Sequence, residues 1–479
     1  MFKYLIFIIA FTTVVNTSAQ NDNTLLNEIQ SIENGLLEAI QVKGQPVNTH
    51  NILDRMKHYN VPGVSIAIVQ DGQIKWAKGY GLANTKTGTV VDENTLFQAG
   101  SISKPIAALA ALHLHEKGKI DIDQNVNDYL VDWKIVDNEF TAVEEITTRR
   151  LLTHTAGTTV HGFPGYKQSD SFPSDIEVLN GQGNTASLTV DVVPGSIWRY
   201  SGGGYTVMEQ IVENISGQSF ESYLSEHILL PMGMTQSTYQ QPLSDKWQSN
   251  ISAAYDGDGN ITEGLWHNYP EQAAAGLWTT ASDLALYCIE IQNIAKGKEN
   301  GVLNKSTVDL MLTKHKNDWG LGPSLRSEGD SLMFSHGGKN QGFTNNLTAY
   351  AHLGKAAIIM TNADNGGSLI REIENAIAEQ YNWPIGRRKT IEVIDLTDEQ
   401  LNLYVGKYEM KGQGLIVSFR IEDGLLMANT PIGTLNLNPL TEKSFLDFNT
   451  NLAIEFQVSE GTVNGFRASN GMEFERIEE

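Results

Sequence analysis

Apolar positions recur at helical spacing through Leu25, Leu26, Ile29, Ile32, Leu36, Leu37 and Ile40, and again from Ile52 to Tyr59. This predicts one or two helices at the start of the chain. The period then changes to two: Val64 to Val69 and Ile74 to Lys78 flank Asp71-Gly72, a pair that favours a tight antiparallel hairpin. Next comes Phe97-Gln98-Ala99-Gly100-Ser101-Ile102-Ser103-Lys104-Pro105, which runs into the unbroken apolar stretch Ile106 to Leu112. That stretch predicts a buried helix reaching Lys117 and stopping at Gly118, with cationic neighbours where the helix dipole prefers them.

From Asp121 to Met234 the pattern reads mostly as helix and loop. Helices are expected near 205–215 and 220–229, and a Gly-, Ser-, Asp- and Pro-rich loop spans 158–186. Strand signals return at 276–279, 333–336, 346–350 and 356–361, followed by a helix at 368–381. Strands first, then an inserted helical block, then strands and a helix predict an α/β (α+β) fold. Its expected architecture is an antiparallel sheet flanked by helices, plus a helical subdomain. Past Pro384 the texture changes to short alternating runs with turn residues between them, the pattern of a small antiparallel β-barrel. The expected domains are therefore 20–390 and 391–479.

Composition narrows the picture. The 479 residues are 41% hydrophobic and 19% charged, ample for a packed core. Thirty-four Lys and Arg against 56 Asp and Glu give a net charge of −22, which argues against nucleic acid and anionic lipid as partners. Residues 1–19 have the charged start, short apolar middle and small-residue exit of a signal peptide. A periplasmic or secreted protein without a membrane span is expected. The single cysteine, Cys288, falls on a helical pattern and is expected to be a buried, inert thiol.

Ser101 and Lys104 lie three positions apart, so on a helix they share a face. At a helix N-terminus the dipole favours an alkoxide on the serine, and burial disfavours a proton on the lysine, so the lysine can help activate the serine. A helix cap followed by a solvated lysine would leave the same two residues. Two further stretches raise the functional reading. Tyr200 stands in the glycine-rich run Trp198-Arg199-Tyr200-Ser201-Gly202-Gly203-Gly204, where its phenol can relay a proton if cations lower its pKa. Ser335-His336-Gly337-Gly338-Lys339 closes a strand, and its glycines let an acyl group lie against the backbone. An N–H after them could join that of Ser101 as an oxyanion hole.

In this order the three stretches resemble the serine β-lactamase and penicillin-binding protein superfamily, in particular the class C β-lactamase, D,D-peptidase and family VIII esterase type. Ser101-Ile102-Ser103-Lys104 is similar to its Ser-x-x-Lys motif. Tyr200-Ser201-Gly202 stands at Tyr-x-Asn, and His336-Gly337-Gly338 at Lys-Thr-Gly or His-x-Gly. The phrases Leu151 to Gly157 and Gly276 to Leu284 agree, so the resemblance covers roughly residues 50–385. The segment around Leu403 to Glu409 resembles the lipocalin-like β-domain often appended to such hydrolases.

The resemblance implies Ser101 as acyl-accepting nucleophile, Lys104 with Tyr200 as the general base pair, Ser101 and Lys339 as oxyanion N–H donors, and His336 orienting the substrate. Gly202, Gly337 and Gly338 belong to the implied substrate-binding set. Gly202 replaces an asparagine and His336 a permanent cation, which favours esters or other peptides over β-lactams. No cofactor or metal is expected, and the partner is a small-molecule or peptide substrate. The alternative is a non-catalytic homologue that binds cell-wall peptides or a protein. The stretch Asp256-Gly257-Asp258-Gly259-Asn260 begins like a calcium loop, but Ile261 occupies its glycine position, so a plain turn is expected. His113, His115 and Glu116 are spaced wrongly for a metal.

Overall fold

The computed structural model describes residues 23–477 except 329–330, 385–387, 411–414, 431–432, 449, 460 and 470. The expected leader, 1–19, lies outside the described residues. Two compact units are present: residues 53–370 form one, and the chain before 53 together with the chain after 370 forms the other.

The unit 53–370 is organised on a seven-stranded sheet. Its strands are β1 (Gly63–Gln70), β2 (Gln73–Asn84), β3 (Thr89–Val90), β4 (Ser324–Glu328), β5 (Ser331–Asn340), β6 (Phe343–Tyr350) and β7 (Lys355–Thr361). They lie in the order β4-β5-β6-β7-β1-β2-β3, and every neighbouring pair is antiparallel. Asp71 and Gly72 both adopt positive φ, 51° and 75°, the conformation that makes Asp-Gly a preferred two-residue hairpin turn. β1 and β7 pair through Ile66 and Ile359, so the two ends of this unit close the sheet and the helical block between them is an insertion. β1 is buried on both faces along Gly63 to Val69, which is why its sequence reads as a continuous apolar run rather than an alternating one.

Helix α1 (Ser103–Glu116) follows a 3₁₀ turn, Gly100–Ile102, and is buried from Ser103 through Leu112 without interruption. An apolar stretch with no polar face needs surroundings on all sides, and its alanines at 107, 108, 110 and 111 let neighbours come close. Gly118, at φ 64°, ends the helix as expected, its N–H reaching His115 O at 2.9 Å. Three more helices frame the site: α2 (Gly202–Ser216), the single turn α3 (Gln272–Ala275), and α4 (Ala281–Ala295). Cys288 on α4 is fully buried and its thiol pKa is pushed up by that burial, so it is an inert core residue.

Some elements differ from the periodicity. The first helix covers 23–33 only; Leu36–Leu37 and Ile40–Val42 are short strands, paired with Thr49–His50 and Lys389–Ile391. Tertiary pairing overrides helical spacing there. The helix expected at 220–229 is α-helical over Phe220–Leu224 and π-helical over Ser225–Leu229. The loop 158–186 carries structure of its own: Tyr166–Lys167 pairs with His267–Asn268, and helix Asp175–Leu179 starts from a capping box of Ser174 and Glu177.

In the second unit, eight antiparallel strands from Gly406–Met410 to Glu473–Ile477 close a barrel. Tyr404, Tyr408, Phe419, Phe445, Phe456 and Phe466 are buried in it, with neighbouring ring centroids 4.4 to 5.9 Å apart. Aromatic rings fill its interior, as in other small barrels.

Candidate active site

Ser101 occupies the middle of the 3₁₀ turn before α1, and Lys104 lies in the first turn of the helix. Lys104 Nζ donates to Ser101 Oγ at 3.2 Å and to Ala274 O of α3 at 2.7 Å. The lysine is 2% exposed. Desolvation lowers its pKa from 10.5 to about 7, so near neutrality much of it carries a lone pair able to take the serine proton.

The turn is pinned against β5 by the absence of side chains. Gly100 has φ 58°, and a Cβ on it would lie 2.5 Å from Lys339 N; a Cβ on Gly338 would collide with Ala99 O. Gly337 is different, since a Cβ there meets nothing nearer than 3.9 Å, so that glycine leaves room in the cleft.

The same approach orients the oxyanion donors. Ala351 N donates to Leu332 O, and the β5–β6 register is unbroken, so alternate residues 332, 334, 336 and 338 spend their backbone groups on β6. Residues 335, 337 and 339 face the other edge. β4 pairs with β5 only as far as Ser335, and the Lys339 N–H therefore points past the end of β4, toward the serine turn. Ser101 N–H lies in a first helical turn, where N–H groups lack intrahelical partners. The two form a donor pair of the oxyanion-hole kind.

Tyr200 faces this pair. Lys104 Nζ sits 5.0 Å from its ring centroid. Its hydroxyl is buried with no full hydrogen bond among the described residues, although it lies near enough to Ser101 for that hydroxyl to ease its ionisation. Burial dominates and raises the phenol pKa. The condition set by the sequence, that cations lower it, is not met, because burial outweighs every other influence on the phenol. His336 is 5% exposed, with Nδ1 2.6 Å from Gly337 O; burial and Lys104 bring its pKa down to about 3. It is a neutral imidazole whose Nε2 has no partner among the described residues.

Ser101, Tyr200, His336, Gly337, Gly338 and Lys339 line a cleft of about 750 Å³ together with His161, Trp198, Arg199, Trp319, Thr344 and Asn345, with Lys104 buried beneath Ser101. The structure thus brings Ser101, Tyr200, His336, Gly337, Gly338 and Lys339 to one cleft. Gly202 is not among the lining residues: a Cβ there would stand 2.9 Å from Phe163 Cε2 and 3.1 Å from His161 O, so no side chain at that position fits as the loop stands. The lining cations are engaged. Lys339 Nζ bonds to Asp364 O at 2.6 Å and to Asp364 Oδ1 at 2.5 Å, and Arg199 holds Gly157 O at 2.6 Å and also the Asp191 carboxylate.

Sequence reading missed Trp319, whose ring lies nearly perpendicular to those of Tyr200 and His336, centroid to centroid 5.9 Å and 5.5 Å. It also missed His154, whose ring lies tilted against Tyr200, centroid to centroid 4.2 Å. Trp319 arrives from a distant stretch without a motif, whereas His154 sits inside Leu151 to Gly157, a phrase that agrees with the family without marking which of its residues meets the site. A buried acidic group behind α3 was also missed. Glu209 on α2 accepts from Ala273 N at 2.8 Å, its other carboxyl oxygen is buried with no partner among the described residues, and Asp175 stands close enough for each to affect the other's proton. Glu271, just before α3, is fully buried, with both carboxyl oxygens unpartnered among the described residues. Burial raises all three, Asp175 to about 7 and Glu271 to about 8. Among the described residues no group of three or more His, Cys, Asp or Glu is arranged to hold a metal ion.

Residues 49–381 match the family described as Beta-lactamase. A Bacillus subtilis (strain 168) protein named "Putative penicillin-binding protein PbpX" is 26% identical over 333 residues, 69% of this chain and 78% of that protein. A "Putative D-alanyl-D-alanine carboxypeptidase" of Escherichia coli (strain K12) is 26% identical over 308 residues, 57% of this chain and 69% of that one. Other relatives are matched over 46% to 50% of their own length. Among solved structures, the octameric penicillin-binding protein homologue from Pyrococcus abyssi superposes with a TM-score of 0.60 at 20% identity, covering 88% of this chain and 98% of that chain. With the fold, the Ser101–Lys104 pair and a family match over most of the chain in agreement, the protein belongs to the β-lactamase/penicillin-binding protein superfamily.

Proposed function

We propose that the protein is a serine hydrolase that forms an acyl-enzyme on Ser101 and releases it to water, acting outside the cytoplasm on uncharged acyl compounds, short-chain esters first. The observation that carries this reading is the contact of a desolvated lysine with the serine: Lys104 Nζ at 3.2 Å from Ser101 Oγ, with a pKa of about 7. A helix-cap serine beside a solvated lysine would have neither feature.

In the proposed reaction Ser101 Oγ attacks the ester carbonyl carbon and its proton passes to Lys104 Nζ. The carbonyl oxygen, now negative, lies between the N–H groups of Ser101 and Lys339. Collapse breaks the bond to the leaving oxygen, which takes a proton from the Tyr200 hydroxyl, itself resupplied by Lys104. Tyr200 thus acts as a protonated relay, in keeping with its raised pKa. Water then attacks the acyl carbon by the same route in reverse, and Ser101 is restored.

The engaged state of Lys339 and Arg199 and the neutrality of His336 favour uncharged substrates. β-Lactams and D-amino-acid peptides present a carboxylate, and among the described residues lining the cleft both Lys339 and Arg199 are already engaged. The test is covalent labelling with a fluorophosphonate. Wild type is expected to label once per chain and Ser101→Ala not at all; equal labelling of both, or no labelling of folded wild type, contradicts the proposal. The second outcome would return the chain to the class of non-catalytic binding homologues.

A further inference from the structure

Helix Thr148–Leu152 ends at Thr153, and the next residue, His154, has φ 57°. This is the position after a helix where glycine is the easiest occupant, and a non-glycine residue held there marks a side chain in use. The side chain and backbone of His154 both reach the tyrosine loop. Arg199 N donates to His154 O at 2.8 Å, and Ser201 N donates to His154 Nδ1 at 3.1 Å. One residue therefore holds the peptide groups on both sides of Tyr200. Its ring lies against the phenol, centroid to centroid 4.2 Å at 34°, and is closed in by Tyr205 at 5.4 Å and Trp319 at 5.1 Å.

We propose that His154 is the positioning residue for Tyr200: its carbonyl, its Nδ1 and its ring together fix where the phenol stands relative to Ser101. The inference rests on the hydrolase reading above and extends it to a residue that touches no substrate. The imidazole must be neutral to accept at Nδ1, which leaves its hydrogen on Nε2. Its surroundings enforce that state. Burial lowers its pKa well below 6.5, and Lys104 of α1, His336 of β5 and His161 of the facing loop push the same way. The rings of Tyr200 and Tyr205 also pack against it, and both hydroxyls keep their protons because burial raises them.

Two substitutions separate positioning from bulk. His154→Asn puts an acceptor oxygen near the place of Nδ1 on a residue that tolerates positive φ. His154→Gln carries the same amide one bond too far. With p-nitrophenyl butyrate, His154→Gln is expected to lower kcat by about 10- to 100-fold with KM within about twofold, since a small misplacement of a catalytic group has effects of that size. His154→Asn should stay within about threefold of wild type.

In a Tyr200→Phe background, His154→Gln should cost less than about twofold more, because its effect runs through the hydroxyl. Equal losses for Asn and Gln, or a Gln loss that persists in Tyr200→Phe, overturn the inference. Hydrogen exchange at the Ser201 amide reads the same hold without substrate. It should stay slow in wild type and His154→Asn and quicken at least about tenfold in His154→Gln; equal protection in all three overturns the inference. Absence of esterase activity and of fluorophosphonate labelling in wild type would instead remove the hydrolase reading alone.

Discussion

At the scale of single residues, Lys104 decides whether Ser101 is a nucleophile or an ordinary alcohol. Its ammonium is stripped of water and, among the described residues, hydrogen-bonds only Ala274 O and Ser101 Oγ, with the Tyr200 and Tyr205 rings beside it, so the proton is weakly held. A base with a pKa of about 7 works in its neutral form, and kcat/KM for a neutral ester should rise with pH to a plateau, with a midpoint near 7. A pH–rate profile with no limb between pH 6 and 8 would contradict the assignment. Gly202 makes a second residue-scale prediction. Placing at this position the asparagine of the Tyr-x-Asn motif that the loop resembles, Gly202→Asn, drives a side chain into Phe163 and the His161 carbonyl. Overpacking of this kind costs about 1 to 3 kcal/mol. Thermal or urea unfolding should show that loss, and cephalosporin turnover should not appear.

Much of the site was legible at this scale because its reactive residues sit in short phrases. Ser101, Lys104, Tyr200 and His336 each carry local punctuation, a glycine or a helix start, that marks them. The roles were less legible. Whether Tyr200 is a base or a protonated relay depends on how deeply it is buried, and whether Lys339 is free depends on Asp364, 25 residues away. Neither is a property of a local pattern.

At the scale of elements, the site is a serine turn, a strand and the short helix α3 held in register. α3 is only one turn long and would not persist alone; Glu209 holds its Ala273 N–H while Ala274 O receives Lys104. Glu209, Asp175 and Glu271 bind protons more tightly in the folded protein than in the unfolded chain. Their stabilising share is complete below the ordinary carboxyl pKa and is lost as pH rises through about 7 for Asp175 and about 8 for Glu271. Lys104 acts oppositely, but only above its pKa of about 7.

Unfolding free energy should therefore fall between pH 5 and 8, and Glu271→Gln, which removes one of these ionisations, should flatten the fall by at least about 1 kcal/mol. Denaturant titrations at the two pH values measure this; an unchanged slope in the variant would sink the account. The hairpin at Asp71-Gly72, α1 and the barrel alternation were readable because their signals are local and repeated. The strands at 36–37 and 40–42 were not, since pairing with Thr49–His50 and with the distant Lys389–Ile391 determines their conformation.

At the scale of the whole molecule, charge and cleft agree. The chain carries −22, and the lining cations are tied to Asp364 and Asp191. Anionic substrates meet long-range repulsion and no counter-ion on arrival. Uncharged short-chain esters should be turned over at least about tenfold faster, in kcat/KM, than matched esters bearing a carboxylate, and salt should narrow the gap. Equal rates at low salt would contradict this. The barrel has its own stability problem, solved by its filled interior. Phe456→Ala removes a ring packed against Tyr404, Tyr408, Phe419, Phe445 and Phe466 and should destabilise it by about 3 to 5 kcal/mol, measurable by tryptic protection of 406–477.

The most direct test of the central claim is mass spectrometry of the protein quenched during turnover of an activated ester, with the modified peptide sequenced. The account predicts one acyl group per chain, on Ser101, lost in Ser101→Ala and formed far more slowly in Lys104→Met. An acyl group on another residue, or turnover undiminished in Ser101→Ala, would contradict it.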